Sequence, residues 1–518
     1  MAPRLPTITG HVWPFTSTEP VDVVPAPGRV TVVTFVTAFD ESCAAMLRRV
    51  GDAVAAFESS GLAGSSTGTT VPVDLVAVHS PRYRYARNPA IAAEWFERVV
   101  ARTEGVAVRP VHDPDHLTWA RLGPNGWPTT LVVDHRGRVR GAGLGRPGGD
   151  AALDALVDVL DAARRAARAD RRSPLTDGGR HLGRRRDDRR STADLPAMSR
   201  PATFHTRASR SLRRPTGVAI DGSRIVIADN GNDRLLVGRL DRDPARVEIE
   251  QDIDVPDPRK VAIVGGLVAC TSPSSGRVVG IQLDPEAVGG TGAPATLAQG
   301  LVWPLGVTAD RDGSIAVTDA GADQLLRISF PDEERPDAAA ADAVGIIGGS
   351  GRTGLTDGRA GSAELCQPTA VTRVDKGLVF CDSGTGALRF LDDRGHVATL
   401  TATPPLEPGL VDGPVHRALF QHPGDVASDG DTLWVADRGN RRLRSIVDRK
   451  VVTVEVPGLS SCEAVTPIGD GRLVIVDTAA NRLVVVDPTT GEARPLEIVM
   501  ERDRPPVGTS APPRSGRR

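Results

Sequence analysis

Two hydrophobic rhythms divide the chain. Up to about residue 170, apolar runs alternate between strand-like and helix-like spacing. Arg29 to Val36 (RVTVVTFV) and Val73 to His79 (VDLVAVH) are β-branched runs of the kind buried on both faces of a sheet. Between them, Glu41 to Ser59 puts Met46, Leu47, Val50, Val54 and Phe57 on one helical face. Pro89 to Glu104 reads as a second helix and Val106 to Val111 as a short strand. Thr129 to Asp134 and Val139 to Ala142 form a hairpin around His135-Arg136-Gly137, and Ala151 to Ala169 closes as a helix. This alternation predicts a central sheet covered by helices.

From residue 214 to 499 the rhythm is a repeat. One unit reads Pro215-Thr-Gly-Val-Ala-Ile, then Ile225-Val-Ile-Ala-Asp229-Asn-Gly-Asn, then Arg234-Leu-Leu-Val. Copies follow at Pro304 to Asp319, Pro368 to Asp382, Pro423 to Asn440 and Ala464 to Asp477. A weaker copy at Val261 to Ile281 has no Asp at the shared position. Six copies, spaced about 40–60 residues apart, match the blades of a propeller. Each unit is a small antiparallel sheet that buries its faces only by radial stacking. Asp-x-Gly-Asn after the β-branched run reads as turn chemistry, with Gly at positive φ and Asp capping the turn.

Composition narrows the class. The 518 residues are 40% hydrophobic and only 3% aromatic, so the cores rest on aliphatic side chains. The net charge of −2 argues against nucleic-acid binding by the chain as a whole. Residues 164–200 are the exception, with 12 Arg against 5 Asp, and read as a solvated basic linker. Five scattered cysteines form no CxxC, which suits reduced thiols in the cytoplasm. No apolar stretch is long enough to span a membrane.

The repeat, carried by Pro215 to Asp229, Pro304 to Asp319, Pro368 to Asp382 and Pro423 to Asn440, resembles the NHL repeat of six-bladed propellers. The N-terminal region resembles a thioredoxin-like domain, with Asp113-Pro-Asp-His116, Trp119 and Gly126-Trp127-Pro128-Thr129 similar to the stretch before its cis-proline strand. Together they resemble proteins that join a thioredoxin-like domain to NHL repeats. The expected fold is therefore multidomain: an α/β thioredoxin-like domain over 8–165, an Arg-rich linker over 166–200, an all-β six-bladed propeller over 201–499 and a disordered tail over 500–518.

The resemblance implies a redox site where the first strand meets the first helix. There Asp40 occupies the position of the attacking cysteine, and only the inner partner, Cys43, remains. One thiol cannot run a dithiol–disulfide cycle. Asp40 suits a helix N-cap, and Pro128 is the expected cis-proline, a structural feature. Asp40-Glu-Ser-Cys43 keeps the TxxC spacing of peroxiredoxins but lacks the Thr. His112 and His116, with Pro114 between them, read as a surface loop rather than a metal pair. No metal site and no cofactor is expected.

In the propeller, the long loops before the fourth and fifth blades carry the least repetitive residues: Arg352, Asp357, Arg359, Asp412, His416, Arg417, Gln421 and His422. These are expected to converge on one end of the channel and to bind a protein or peptide. The resulting reading is a cytoplasmic, non-enzymatic binding protein without nucleic-acid or membrane partners. The alternative is a thiol-dependent oxidoreductase or peroxidase acting through Cys43.

Overall fold

The computed structural model describes residues 5–144 and 211–500, apart from 6, 16, 18, 27–28, 39–40, 63–71, 82–86, 101–106, 123–127, 135, 243–244, 284–292, 331–343 and 402–408, together with Val157 and Arg189–Ser191. They fall into two compact units, and the propeller strands all belong to the second.

The N-terminal unit runs β1 (Ile8–Val12), β2 (Val21–Val24), β3 (Val30–Val36), α1 (Glu41–Leu62), β4 (Val73–His79), α2 (Pro89–Val100), β5 (Val108–His112), α3 (Leu117–Leu122), β6 (Thr129–Val133), β7 (Val139–Leu144) and β8 (Arg189–Ser191). One eight-stranded sheet has the order β7-β6-β3-β4-β5-β1-β2-β8. β3 is central, parallel to β4 and antiparallel to β6. Alternation sends Val30, Val32 and Val36 into a core shared with α1 and α2, and Val33 and Phe35 into a second core on the other face.

Two expectations change here. Arg189–Ser191, inside the stretch read as a solvated linker, pairs in parallel with β2. The 151–169 helix lies outside the described residues except for Val157, as does the tail beyond Met500.

The second unit is a six-bladed propeller. Its innermost strands are Gly217–Asp221, Val261–Val264, Pro304–Ala309, Pro368–Val374, Asp425–Ser428 and Ala464–Pro467. They neighbour one another in that order, and the sixth returns to the first, so the ring is closed. Closure has a further element. The C-terminal strand Glu497–Met500 adds in parallel to the outer edge of blade 1, beyond Ala245–Asp254. Blades 4 and 5 also gain short outer strands, Gly358–Arg359 and Gly413–Pro414. Neighbouring blades share aliphatic cores, as Val218 and Ile227 of blade 1 do with Val474 and Val476 of blade 6. No helix among the described residues is long and apolar enough to cross a membrane.

Candidate functional site

Each innermost strand begins where the second strand of its own blade ends, because the two are antiparallel. The loops leading into the innermost strands and the turns after the second strands therefore share one end of the channel. The repeat Asp builds this end. Asp229 Oδ1 accepts the N–H of Arg213, Asp382 Oδ1 that of Cys366 and Asp437 Oδ1 that of Gln421. The glycine two residues later then donates to the carbonyl of the same loop residue: Gly231 to Arg213, Gly384 to Cys366 and Gly439 to Gln421. A Cβ on Gly439 would stand 2.5 Å from the Gln421 oxygen.

This corrects the turn reading. The Asp holds the preceding loop rather than capping the short 3-10 turn after it, and the Gly serves close approach rather than positive φ. The left-handed residues come later, at Asp233, Gly386, Arg441 and Asn481. Blade 2 explains its missing Asp. Its corresponding loop residue is Pro256, which has no N–H to offer a carboxylate. Ser272 stands in the Asp position and donates its hydroxyl to the Pro256 carbonyl at 2.6 Å.

Threonine hydroxyls tie the blades together at this end. Thr216 bonds the Pro258 and Arg259 carbonyls, Thr271 that of Leu305, Thr369 that of Pro423 and Thr478 that of Pro215. At the mouth, Lys260 of blade 2 reaches Asp425 of blade 5 at 3.0 Å and donates to the Glu463 carbonyl of blade 6. Three steps apart in a ring of six, blades 2 and 5 face each other across the axis. Arg438 pairs with Glu463 at 3.5 Å and Arg259 with Asp257 at 3.5 Å. All six side chains are mostly buried. Burial pushes the Asp425 carboxyl up, and the Lys260 ammonium pulls it part of the way back. Cys381 and Cys462 lie within the field of this cluster, and burial raises both thiols well above the usual range.

The long loops lie elsewhere than expected. Gly358–Arg359 pairs with His396–Thr399 and Gly413–Pro414 with Lys450–Val454, each on the outer side of its blade. Asp357 and Asp412 thus line outer strands and do not converge on the channel. Each is spent on a buried arginine. Arg389 bridges Asp382 and Asp357, both at 2.9 Å, and Arg444 bridges Asp437 and Asp412 at 2.8 and 2.7 Å. Burial pulls the Asp357 and Asp412 carboxyls up, but hydrogen bonds from Thr399 or Thr453 and from the arginine outweigh it and hold both low. Burial instead dominates at the inner acids, raising Asp382 to about 7 and Asp437 to about 6. Arg359, His416 and Arg417 are exposed, as is Arg352, which pairs with Glu364. Gln421 is the clamped loop residue of blade 5. His422 is buried with φ 47°, its Nδ1 bonded to the Ser383 carbonyl.

In the N-terminal unit, Cys43 sits in the first turn of α1, fully buried in the core beneath that helix. Its sulfur accepts the Thr37 N–H at 3.4 Å. Asp40 and the bond between Trp127 and Pro128 lie outside the described residues, and Pro128 itself is buried just before β6. His112 is not on a surface loop. It ends β5 and is buried against His79, which ends β4, with the two Nδ1 atoms 2.9 Å apart. His112 Nε2 bonds the Arg87 carbonyl at 3.0 Å, so that nitrogen carries the proton. In neutral His112 the Nδ1 is then the acceptor, and His79 Nδ1 donates. Nε2 of His79 is left bare and buried. Asp113 caps α3 through the N–H groups of Leu117 and Thr118 and also accepts from Ser80. Among the described residues no cluster of three metal-ligating side chains occurs.

Sequence reasoning missed the axial group of Lys260, Asp425, Arg438 and Glu463. The only available signal was that Lys260 is one of just three lysines in a chain that otherwise uses arginine.

No protein-family model matches the sequence, and no curated protein matches it. Among solved structures, the chain is similar to a catalytically inactive virginiamycin B lyase from Staphylococcus aureus, crystallised with quinupristin, at 14% identity and TM-score 0.37, over 56% of this chain and 86% of that one. A protein of unknown function from Bacteroides thetaiotaomicron aligns at 15% identity and TM-score 0.40, over 53% and 70%. An auxiliary nutrient binding protein from the same species aligns at 15% and 0.34, over 47% and 70%. At these values the neighbours assign no function to this chain.

Proposed function

We propose that the protein is a non-enzymatic binding platform, in which an NHL-type propeller takes a protein or peptide partner and a thioredoxin-like module lacks dithiol chemistry. The observation that carries the reading is the Lys260–Asp425 pair across the axis. A mouth drawn together by a mostly buried ion pair offers a surface of loops from all six blades rather than a reaction chamber. Ser274 and Ala479 are exposed on the turns around it, and Arg213 is exposed on a lead-in loop. Such loops on a rigid scaffold suit recognition. The thioredoxin-like reading is supported by β3, which lies between parallel β4 and antiparallel β6 and leads into the helix that carries Cys43. Five free, buried thiols support a cytoplasmic setting.

A photo-crosslinking residue at Ser274 or Ala479, compared with one at the rim positions Ile346 or Val452, tests the platform in native lysate. Crosslinks to a discrete protein from the mouth positions alone are expected. Equal capture from the rim would move the site away from the mouth.

One observation favours the peroxidase alternative: the Thr37 N–H directed at Cys43 is a donor of the kind that stabilises a thiolate. Complete burial of the sulfur weighs against it.

A further inference from the structure

The N-terminal sheet ends in an unusual strand. β8 consists of Arg189, Arg190 and Ser191, and it extends the sheet at the β2 edge with Asp22 opposite Arg189, Val23 opposite Arg190 and Val24 opposite Ser191. It is the last strand of the sheet order. Neither arginine nor serine favours strands, so local preference does not put this segment there. The surrounding stretch, RRRDDRRST over 184–192, is also too poor in apolar residues to be held by a core of its own.

Two features of the edge remain. The first is the backbone of β2, which offers a row of hydrogen-bonding groups on the side away from β1. The second is charge. Glu19 is exposed just before β2, and Asp22 is half-buried within it. Asp22 accepts the Thr9 hydroxyl at 2.6 Å, and Arg121 of α3 donates to that same hydroxyl oxygen. Among the described residues, neither Asp22 nor Glu19 forms an ion pair. An arginine-rich strand thus lies along an edge that carries the carboxylates of Asp22 and, just before it, Glu19.

We propose that the β2 edge is a docking site for an extended, arginine-rich peptide of a partner protein, and that Arg189–Ser191 occupies it in cis. Main-chain bonds give such a site its grip, and charge gives it selectivity. A ladder only three residues long gains little beyond the cost of ordering the segment, so the cis strand is poised to exchange. Its tether nevertheless supplies a high effective concentration, so a free peptide competes poorly until the cis strand is withdrawn. This goes beyond the propeller platform and does not depend on it.

The test uses the full chain and a fluorescein-labelled synthetic peptide with the sequence of residues 184–192. Arg189→Pro with Arg190→Pro removes the cis ladder donors. The labelled peptide is expected to bind this variant at least about tenfold more tightly than wild type, because the competent fraction of sites rises. Adding Asp22→Asn should reverse much of the gain, and a peptide with Gln for Arg should bind weakly. Equal peptide binding by wild type and the proline variant overturns the proposal, as does equal binding of the Gln peptide. Dimerisation of wild type with no peptide uptake by the variant also overturns it, by assigning the edge to a second copy. Hydrogen exchange at Val21–Val24 guards against misfolding. These amides should exchange faster in the variant and be protected again by the peptide, and a failure to regain protection counts against the site.

Discussion

Lys260 immediately precedes the innermost strand of the second blade, and its ammonium lies 3.0 Å from the carboxylate of Asp425, which opens the innermost strand of the fifth. The pair joins opposite sides of the ring. The Val426 and Val465 N–H groups give Asp425 further donors.

Removing the ammonium tests what this link contributes. Lys260→Met leaves a buried carboxylate with backbone donors alone, which costs about 3–5 kcal/mol for pairs of this kind. Because burial already raises the Asp425 carboxyl, the loss should be largest at pH 7 and shrink as pH falls and the acid becomes neutral. Denaturant melts at pH 7 and pH 4.5 read this directly. Asp425→Asn in the same chain should recover most of the loss at pH 7. A pH-independent penalty would mean that packing, not charge, is what the lysine provides.

Arg389 and Arg444 predict matched behaviour in blades 4 and 5. Each is fully buried between one buried and one half-exposed acid. Arg444→Met strands Asp437 and should cost about 3–5 kcal/mol, whereas Asp412→Asn, at the solvent-screened end, should cost under about 1 kcal/mol. The same pattern is expected for Arg389 and Asp357. Asp437 and Asp382 are raised to about 6 and about 7. Their contribution to stability is therefore complete below the usual carboxyl range and is lost as pH rises through those values. Each arginine variant should accordingly lose more stability at pH 8 than at pH 5. Comparable costs for Asp412→Asn and Arg444→Met would refute the division into buried and screened ends.

The His79–His112 pair predicts acid sensitivity in the N-terminal unit. Burial lowers both rings from the ordinary value, His79 the more strongly, and each also feels a histidine neighbour. The neutral pair thus contributes stability that is complete above about pH 6.5 and is lost as pH falls toward the lowered values. Melts of wild type between pH 7.5 and 5 should show this loss, and His79→Phe should flatten it. His11, His116 and Asp113 remain in that variant as a background. An unchanged slope would mean that the His79–His112 pair is not the source of the sensitivity.

Cys43 should be chemically quiet. The native protein should resist iodoacetamide at all five cysteines, each of which is buried, and react quickly once unfolded. Insulin reduction should be undetectable beside a thioredoxin control. Peptide mapping that found native Cys43 rapidly alkylated, or trapped as a sulfenic acid after dilute peroxide, would favour the peroxidase reading.

The exposed loop residues Arg359, His416 and Arg417 can be replaced together by Ala without touching the arginine triads. Melting should be unchanged, so any loss of a crosslinked partner would report binding at the blade edges rather than at the mouth.

The sequence by itself determined the local parts. β-branched alternation marked β3, β4 and the repeated strands, and the recurring Asp and Gly marked the turns of the blades, because strand period and turn chemistry act within a few residues. The six-copy count follows from the same local pattern, and the weak copy at Val261 to Ile281 forms a full blade. Tertiary structure decided what those residues are for. The repeat Asp and Gly clamp a loop 16 residues or more upstream. Asp357 and Asp412 serve buried arginines on the following strands, His112 is buried by a histidine on another strand, and Arg189–Ser191 pairs at the far edge of a sheet. Lys260 meets Asp425 only because six similar blades close into a ring. Each of these contacts joins residues distant in sequence, where neither hydrophobic period nor turn preference carries a signal.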